Sequence, residues 1–357
     1  MTVNDIQGDR PLIFSFWDHI LAKRDKLTQQ QKRQIAKTQK RKISEQKALA
    51  QLGHLSEQRE GLIVSRFGEE ADVLDQPSGQ TYRCFLRQHL GAPVPGDRIT
   101  YRLAPNQQGI IESIAKRQSL LQRPSPHQGV KPVVANINRV FVLVAPLPDF
   151  SAILLDRYLI AIENADIDIT IVANKWDLSS EIKKQAIEQQ LSLYQQLGYS
   201  ILKISTKDDI GKSEFIQAAT GHSSILVGQS GVGKSSLINW LFPSESLATK
   251  MISENSRLGQ HTTTASQLFC LSDQTTKNGF IIDSPGIREF GLWHLDINQI
   301  ASGFREFRNF LGGCKYRDCK HINEPGCEII EAVKKGLIFE QRWQNYKHIL
   351  TNNLAKP

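Results

Sequence analysis

The stretch Gly228-Gln-Ser-Gly-Val-Gly-Lys-Ser235 follows the apolar run Ile225-Leu-Val and leads into Ser236-Leu-Ile-Asn-Trp-Leu. It fits the pattern Gly-x4-Gly-Lys-Ser/Thr, and passage from strand to helix is the setting that pattern requires. Glycines let backbone N–H groups curl around phosphates, and the start of the following helix adds a favourable dipole. Lys234 would then reach β- and γ-phosphates, and the Ser235 hydroxyl would ligate Mg²⁺. Gln229, Ser230, Gly231, Val232, Gly233 and Ser236 complete the cradle. Around it, Val140-Phe-Val-Leu-Val-Ala, Ile169-Thr-Ile-Val-Ala, Ile201-Leu-Lys-Ile-Ser, Ser224-Ile-Leu-Val and Phe280-Ile-Ile read as buried strands, with a helical segment Leu154–Glu163 after the first. Apolar strands alternating with helices predict a mostly parallel α/β sheet covered on both faces.

Asn174-Lys-Trp-Asp177 ends one of these strands. The Asp177 carboxylate can accept from N1–H and the 2-amino group of guanine together, whereas adenine offers neither donor and would leave it unpaired. The Lys175 stem can lie along the base, and Asn174 can tie this loop to the phosphate cradle. The bland alternative is a strand–helix junction with Asp177 as a cap. Ser205-Thr206-Lys207 ends the next strand and could bring a backbone N–H to guanine O6.

Asp283-Ser-Pro-Gly286 ends another strand; the aspartate would hold Mg²⁺ through water and Gly286 would sense the γ-phosphate. Between these motifs lies Gly259-Gln-His-Thr-Thr-Thr264, where one of Thr262, Thr263 and Thr264 should contact Mg²⁺ and γ-phosphate. Ile287 stands where Ras-like GTPases carry the glutamine that orients the attacking water. It can neither donate nor accept, which predicts slow intrinsic hydrolysis until a partner or another residue supplies the group. His261 is the nearest candidate, and packing within its loop is the alternative. In the usual order the phosphate loop comes first and Asn-Lys-x-Asp last; here all five elements are present but rotated. A sheet can be recut at a surface loop without moving the site.

Further out, Cys314-x4-Cys319-x-His321-x5-Cys327 offers three thiolates and an imidazole, a closed tetrahedral set that favours one structural Zn²⁺ over a catalytic one. Helices are expected at Ile300–Leu311, Glu328–Lys335 and Phe339–Leu350. Upstream, Gly61–Ser65, Ala71–Leu74, Thr81–Leu86, Arg98–Arg102 and Gly109–Ile114 read as five short strands broken by turns, for which an OB-fold barrel is the economical answer. Arg123-Pro-Ser-Pro-His-Gln-Gly129 reads as a linker. The chain of 357 residues carries a net charge of +8, and residues 21–47 hold ten Lys/Arg against two acids. That basic arm, helical or disordered, points to nucleic acid. No apolar run approaches the roughly 20 residues of a bilayer span, and no secretory signal is evident, so a cytoplasmic protein without membrane attachment is expected.

Taken together, the permuted order, Gly-Gln-His-Thr-Thr-Thr, Asp283-Ser-Pro-Gly-Ile-Arg-Glu-Phe-Gly-Leu292, Leu155-Asp-Arg-Tyr-Leu159 and the Cys/His spacing resemble the ribosome small-subunit-dependent GTPase A family, from about Glu60 to near the C-terminus. The resemblance implies a multidomain chain with an OB-fold over 56–122, a circularly permuted GTPase domain over 123–295 and a helical zinc domain over 296–357; the basic extension over 1–55 matches no motif of the family. It implies GTP hydrolysis to GDP and phosphate, stimulated by the small ribosomal subunit, in late maturation of that subunit, with rRNA contact by a monomer. An RNA-binding adaptor that keeps nucleotide as a structural ligand is the alternative from another class. A GTP-regulated RNA-modifying enzyme is a third, which lacks a second catalytic constellation.

Overall fold

The computed structural model describes residues 55–87, 90–125, 129–178, 181–243, 267–272, 275–283, 292 and 294–354. The basic arm therefore lies outside the described residues, as do His261, Thr262, Thr263, Thr264, Gly286 and Ile287.

Five strands close a barrel: β1 (Arg59–Phe67), β2 (Glu70–Asp75), β3 (Thr81–Leu86), β4 (Arg98–Leu103) and β5 (Gly109–Ile114), in spatial order β1-β2-β3-β5-β4. All pairings are antiparallel except β3 with β5. Alternate residues point inward, so Ile63, Val73, Cys84, Ile99, Tyr101 and Ile111 fill the interior. This OB-like barrel is the one the turn-broken alternation predicts.

Of the segment read as a linker, residues 123–125 and 129 belong to a β-ribbon. β6 (Leu120–Ser125) pairs antiparallel with β7 (Gly129–Ala135), so the boundary expected at 122/123 falls inside a strand. Pro124 and Pro132 suggest a break, but a two-stranded ribbon is all edge and tolerates proline. Leu121 and Val134 are buried in one core with Leu62, Leu74 and Val140, which makes the ribbon a packed joint. Asn136 Nδ2 donates to Gly96 O at 2.8 Å and fastens the end of the ribbon to the barrel.

The second sheet contains β8 (Arg139–Val144), β9 (Asp168–Ala173), β10 (Ser200–Lys203), β11 (Ser223–Gly228), β12 (Gln267–Ser272) and β13 (Thr275–Asp283) in the order β10-β9-β8-β11-β13-β12. Every neighbour pair is parallel except β12 with β13. Both faces are covered. Val140, Val142, Ile169, Ile171, Ile225 and Ile282 pack under α1 (Ala152–Glu163) and α2 (Glu181–Gln196). Phe141, Leu143, Leu226 and Ile281 pack on the other side against Phe215 of α3 (Lys212–Ala219) and Leu237 and Ile238 of α4 (Lys234–Leu241).

The C-terminal module comprises α5 (Ile297–Ser302), a 3₁₀ turn Arg305–Phe310, α6 (Glu328–Lys334) and α7 (Glu340–Leu354). The single helix expected at Ile300–Leu311 is thus two pieces. Gly303 packs directly on Ile160, where an added Cβ would come within 2.8 Å, and the chain turns there before Phe304 and Phe307 enter the core.

Candidate functional site

The carboxyl ends of β8, β9, β10, β11 and β13 lie on one edge of the sheet, where ligands of open parallel sheets bind. Gly228 to Lys234 joins β11 to α4. Two glycines are required by contact as well as by conformation. Gly228 has φ of 146° and would place a Cβ 2.5 Å from Leu143 O; Gly233 has φ of 97° and would place one 2.4 Å from Asn174 Nδ2. Lys234 Nζ donates to Gly228 O at 2.5 Å and Gln229 O at 2.9 Å, so its ammonium lies over the loop's own curve. Ser230, Ser235 and Ser236 are exposed on the same loop and first helical turn, and Val232 is buried beneath.

Asn174 is fully buried, and its Nδ2 donates to Val232 O at 2.9 Å. Lys175, at φ of 57°, donates from Nζ to Gly231 O at 2.5 Å and Leu147 O at 3.3 Å. Two residues of the Asn-Lys-x-Asp loop thereby grip two carbonyls of the phosphate loop, although 58 and 56 residues separate the partners. Asp177 sits in a short 3₁₀ turn, half-buried.

The Ser205 backbone N–H is used within the chain, donating to Ile210 O at 3.1 Å, so within Ser205-Thr206-Lys207 a backbone donor to guanine O6 would come from Thr206 or Lys207. The buried Ser205 hydroxyl donates to Asp177 Oδ1 at 2.8 Å and accepts from the Asp208 amide at 3.1 Å. Thr206 follows, half-buried. Trp240, on α4, was not foreseen: its Nε1 donates to Asp209 Oδ1 at 2.6 Å, joining the phosphate-loop helix to the loop after β10.

Asp283 ends β13 and pairs in register with Leu226 of β11, which brings it beside the phosphate loop. Burial pushes its carboxyl up, and the Lys234 ammonium pulls it back toward the ionised form. The residue types and their convergence suit a nucleotide with its Mg²⁺: a cationic loop at a helix start, a carboxylate, and a polar base slot.

The second centre is Cys314, Cys319, His321 and Cys327, whose ligand atoms all lie within 4.8 Å of one another. His321 Nδ1 stands 3.5 Å from Cys314 Sγ and 3.4 Å from Cys327 Sγ, and the two sulfurs are 3.9 Å apart. A zinc ion with bonds of about 2.0 Å to nitrogen and 2.3 Å to sulfur sets tetrahedral edges of roughly 3.5–3.8 Å, so the set fits one zinc. Burial pushes the Cys319 thiol up to about 12, and burial likewise raises Cys327. Bound Zn²⁺ favours the thiolates over these opposing effects. Burial lowers His321, keeping the imidazole neutral and able to ligate. Around the ligand loop, Trp343 Nε1 donates to His321 O and Tyr346 Oη to Lys320 O, both at 2.8 Å. The Glu324 carboxylate accepts from the amides of Ile322, Lys320 and Asn323.

A family model described as RsgA GTPase matches residues 114–293. The chain is 42% identical over 344 residues to the small ribosomal subunit biogenesis GTPase RsgA of Yersinia enterocolitica, covering 94% of this chain and 97% of the relative. The protein of that name from Haemophilus influenzae is 46% identical over 306 residues, covering 85% and 87%. Among solved structures, YjeQ from Thermotoga maritima superposes with a TM-score of 0.67 at 30% identity, covering 84% of this chain and all of that one. YloQ, described as a circularly permuted GTPase, gives 0.64 at 25% identity, covering 86% and 98%. Among the described residues, no helix is long and apolar enough to cross a membrane.

Proposed function

This chain belongs to the RsgA GTPase family, and from that premise we propose that it hydrolyses GTP to GDP and phosphate in the biogenesis of the small ribosomal subunit. The observation that carries the reading is the grip of Asn174 and Lys175 on the carbonyls of Val232 and Gly231. It joins a base-reading loop and a phosphate loop into one site, with Asp177 held by Ser205 at the point where guanine would enter.

In this reading residues 228–236 hold the α- and β-phosphates through backbone N–H groups, and Lys234 turns outward to the β- and γ-phosphates. Ser235, Asp283 and one of Thr262, Thr263 and Thr264 would hold Mg²⁺, which when bound would neutralise phosphate charge. Gly286 would report the γ-phosphate. Ile287 leaves the attacking water without a side-chain partner at that position, so His261 or the bound ribosomal subunit supplies it. The barrel, the basic arm and the zinc module contact the subunit and its rRNA, as a monomer in the cytoplasm.

Equilibrium binding tests the base assignment: the full chain with Mg²⁺ should bind GDP on the order of 10⁴-fold tighter than ADP, the range expected when a site built for donors meets a base that lacks them. Equal affinities would refute it.

A further inference from the structure

Helix α1 packs on two modules at once. Leu155, Tyr158, Leu159 and Ile162 belong to the core under the sheet. Leu154 and Leu155, with Pro148 and Phe150 of the entering loop, face Gln229 and Val232 of the phosphate loop across a cleft of about 20 Å³. The same entering loop supplies the Leu147 carbonyl to Lys175, and Pro148 lies beside Gly231. On its other side α1 sends Ile160 into the core of the zinc module.

Two acidic residues of α1 meet the zinc module: Glu163, paired with Arg305 and Arg308, and Asp156. Asp156 is wholly buried, as is Arg342 of α7 at 1% exposure, and the two form an ion pair. Tyr194 Oη donates to Asp156 Oδ1 at 2.7 Å and Asn345 Nδ2 to Oδ2 at 2.6 Å. Arg342 Nε donates to Glu306 Oε1 at 2.6 Å, and its guanidinium lies 4.5 Å from the centre of the Phe304 ring. Burial alone would lower the Arg342 pKa, but Asp156 and Glu306 raise it, so it stays cationic. Beside the pair a cavity of about 260 Å³ opens, lined by Ala152, Ile153, Gln190 and Gln341 among others. At this end of α1 the charge network joins the two modules alongside the apolar contacts of Ile153 and Ile160.

A buried ion pair is a poor stabiliser compared with apolar residues of equal volume, and its best-attested use is to fix one arrangement over others. Here the arrangement it fixes is the seat of α7 on α1, one residue along the helix from the leucine that faces the phosphate loop. We propose that Asp156 and Arg342 form a latch through which the seating of the zinc module sets the position of Lys175 and the phosphate loop, making both positioning residues of the nucleotide site. The proposal rests on the guanine-nucleotide reading of that site. A partner that grips the zinc module would act on nucleotide retention by this route, through α1 and its entering loop.

The test is release of a fluorescent N-methylanthraniloyl-GDP from the zinc-loaded full chain. The double variant Asp156→Leu/Arg342→Met, made in a Glu306→Gln background, removes every charge of the buried network together, which such networks tolerate. It should keep one zinc per chain and a thermal midpoint close to wild type, yet release nucleotide on the order of three- to tenfold faster. In a Lys175→Ala background the same pair of changes should add little, because the two perturbations then share one route. A folded, zinc-loaded double variant that releases at the wild-type rate would overturn the latch. Should the double variant not fold, Tyr194→Phe and Asn345→Ala each remove one donor from Asp156. Faster release in both supports the latch, and unchanged release in both overturns it. Failure of the wild-type chain to bind the probe at all would instead refute the nucleotide reading.

Discussion

Ser205 Oγ donates to Asp177 Oδ1 at 2.8 Å, across 28 residues of sequence, so the carboxylate that would read guanine is aimed by a buried hydroxyl from the next loop. A carboxylate oxygen held this way leaves the remaining acceptor positions directed to the base edge.

Ser205→Ala should therefore weaken GDP binding about tenfold, since a hydrogen bond to a charged group contributes roughly 1.5–3 kcal/mol. Asp177→Asn should go further and bring the GDP and ADP affinities together. Calorimetry on both variants checks this; a Ser205→Ala protein with wild-type affinity would mean that Asp177 needs no support.

Gly233→Ala should abolish tight nucleotide binding while leaving the barrel and zinc module intact. The new Cβ would meet Asn174 Nδ2 at 2.4 Å, at a φ of 97° where an L side chain is strained. Backbone strain of this kind costs on the order of 1–3 kcal/mol, and relieving it means breaking the Asn174–Val232 bond. The readouts are GDP affinity and zinc content side by side; retained affinity would contradict the geometry.

Cys319→Ser should lower zinc content below one per chain and loosen the C-terminal module, because binding of a structural metal is part of that module's folding free energy. Metal analysis with near-ultraviolet circular dichroism, which reports the packed Phe304, Phe307 and Tyr346 rings, should show both losses. Full zinc and unchanged ring signals would argue against Cys319 as a ligand.

The barrel should carry an acid-sensitive contribution from Asp75. Burial works to raise its carboxyl, but hydrogen bonds from the Ser78 and Tyr101 hydroxyls and the Ser78 amide, with Arg59 nearby, hold it below its ordinary value of 3.8. A carboxyl depressed in the folded state stabilises fully above its unfolded value, and the contribution is lost as pH falls through and below 3.8. Asp75→Asn should flatten this part of the stability profile between pH 5 and about pH 2. Parallel profiles for variant and wild type would remove Asp75 from the account.

Much of this was legible in the sequence because it is local. Apolar runs such as Val140–Val144 mark buried strands, and the spacing Cys314, Cys319, His321, Cys327 names its own ligand set. Less local features were not. Strand β12 is an edge strand with polar ends, and α2 is polar along most of its length, with Leu191 and Tyr194 alone buried among its described side chains. The ribbon at 120–135 was hidden by its prolines, which signal a break when read singly. Ser205-Thr206-Lys207 was expected to offer a backbone N–H, but the bridge of the Ser205 amide to Ile210 and the reach of its hydroxyl to Asp177 depend on how the loop folds. Asp156 and Arg342 lie 186 residues apart, and nothing short of the fold brings them together.

A nucleotide site that waits for its partner is tested by GTP turnover of the full chain with Mg²⁺, measured with and without purified small ribosomal subunits. Slow turnover alone and a rise of on the order of 10-fold or more with subunits is the predicted result, since supplying a missing catalytic group is worth at least that much in related phosphoryl transfers. Turnover that is unaffected by the subunit would contradict it.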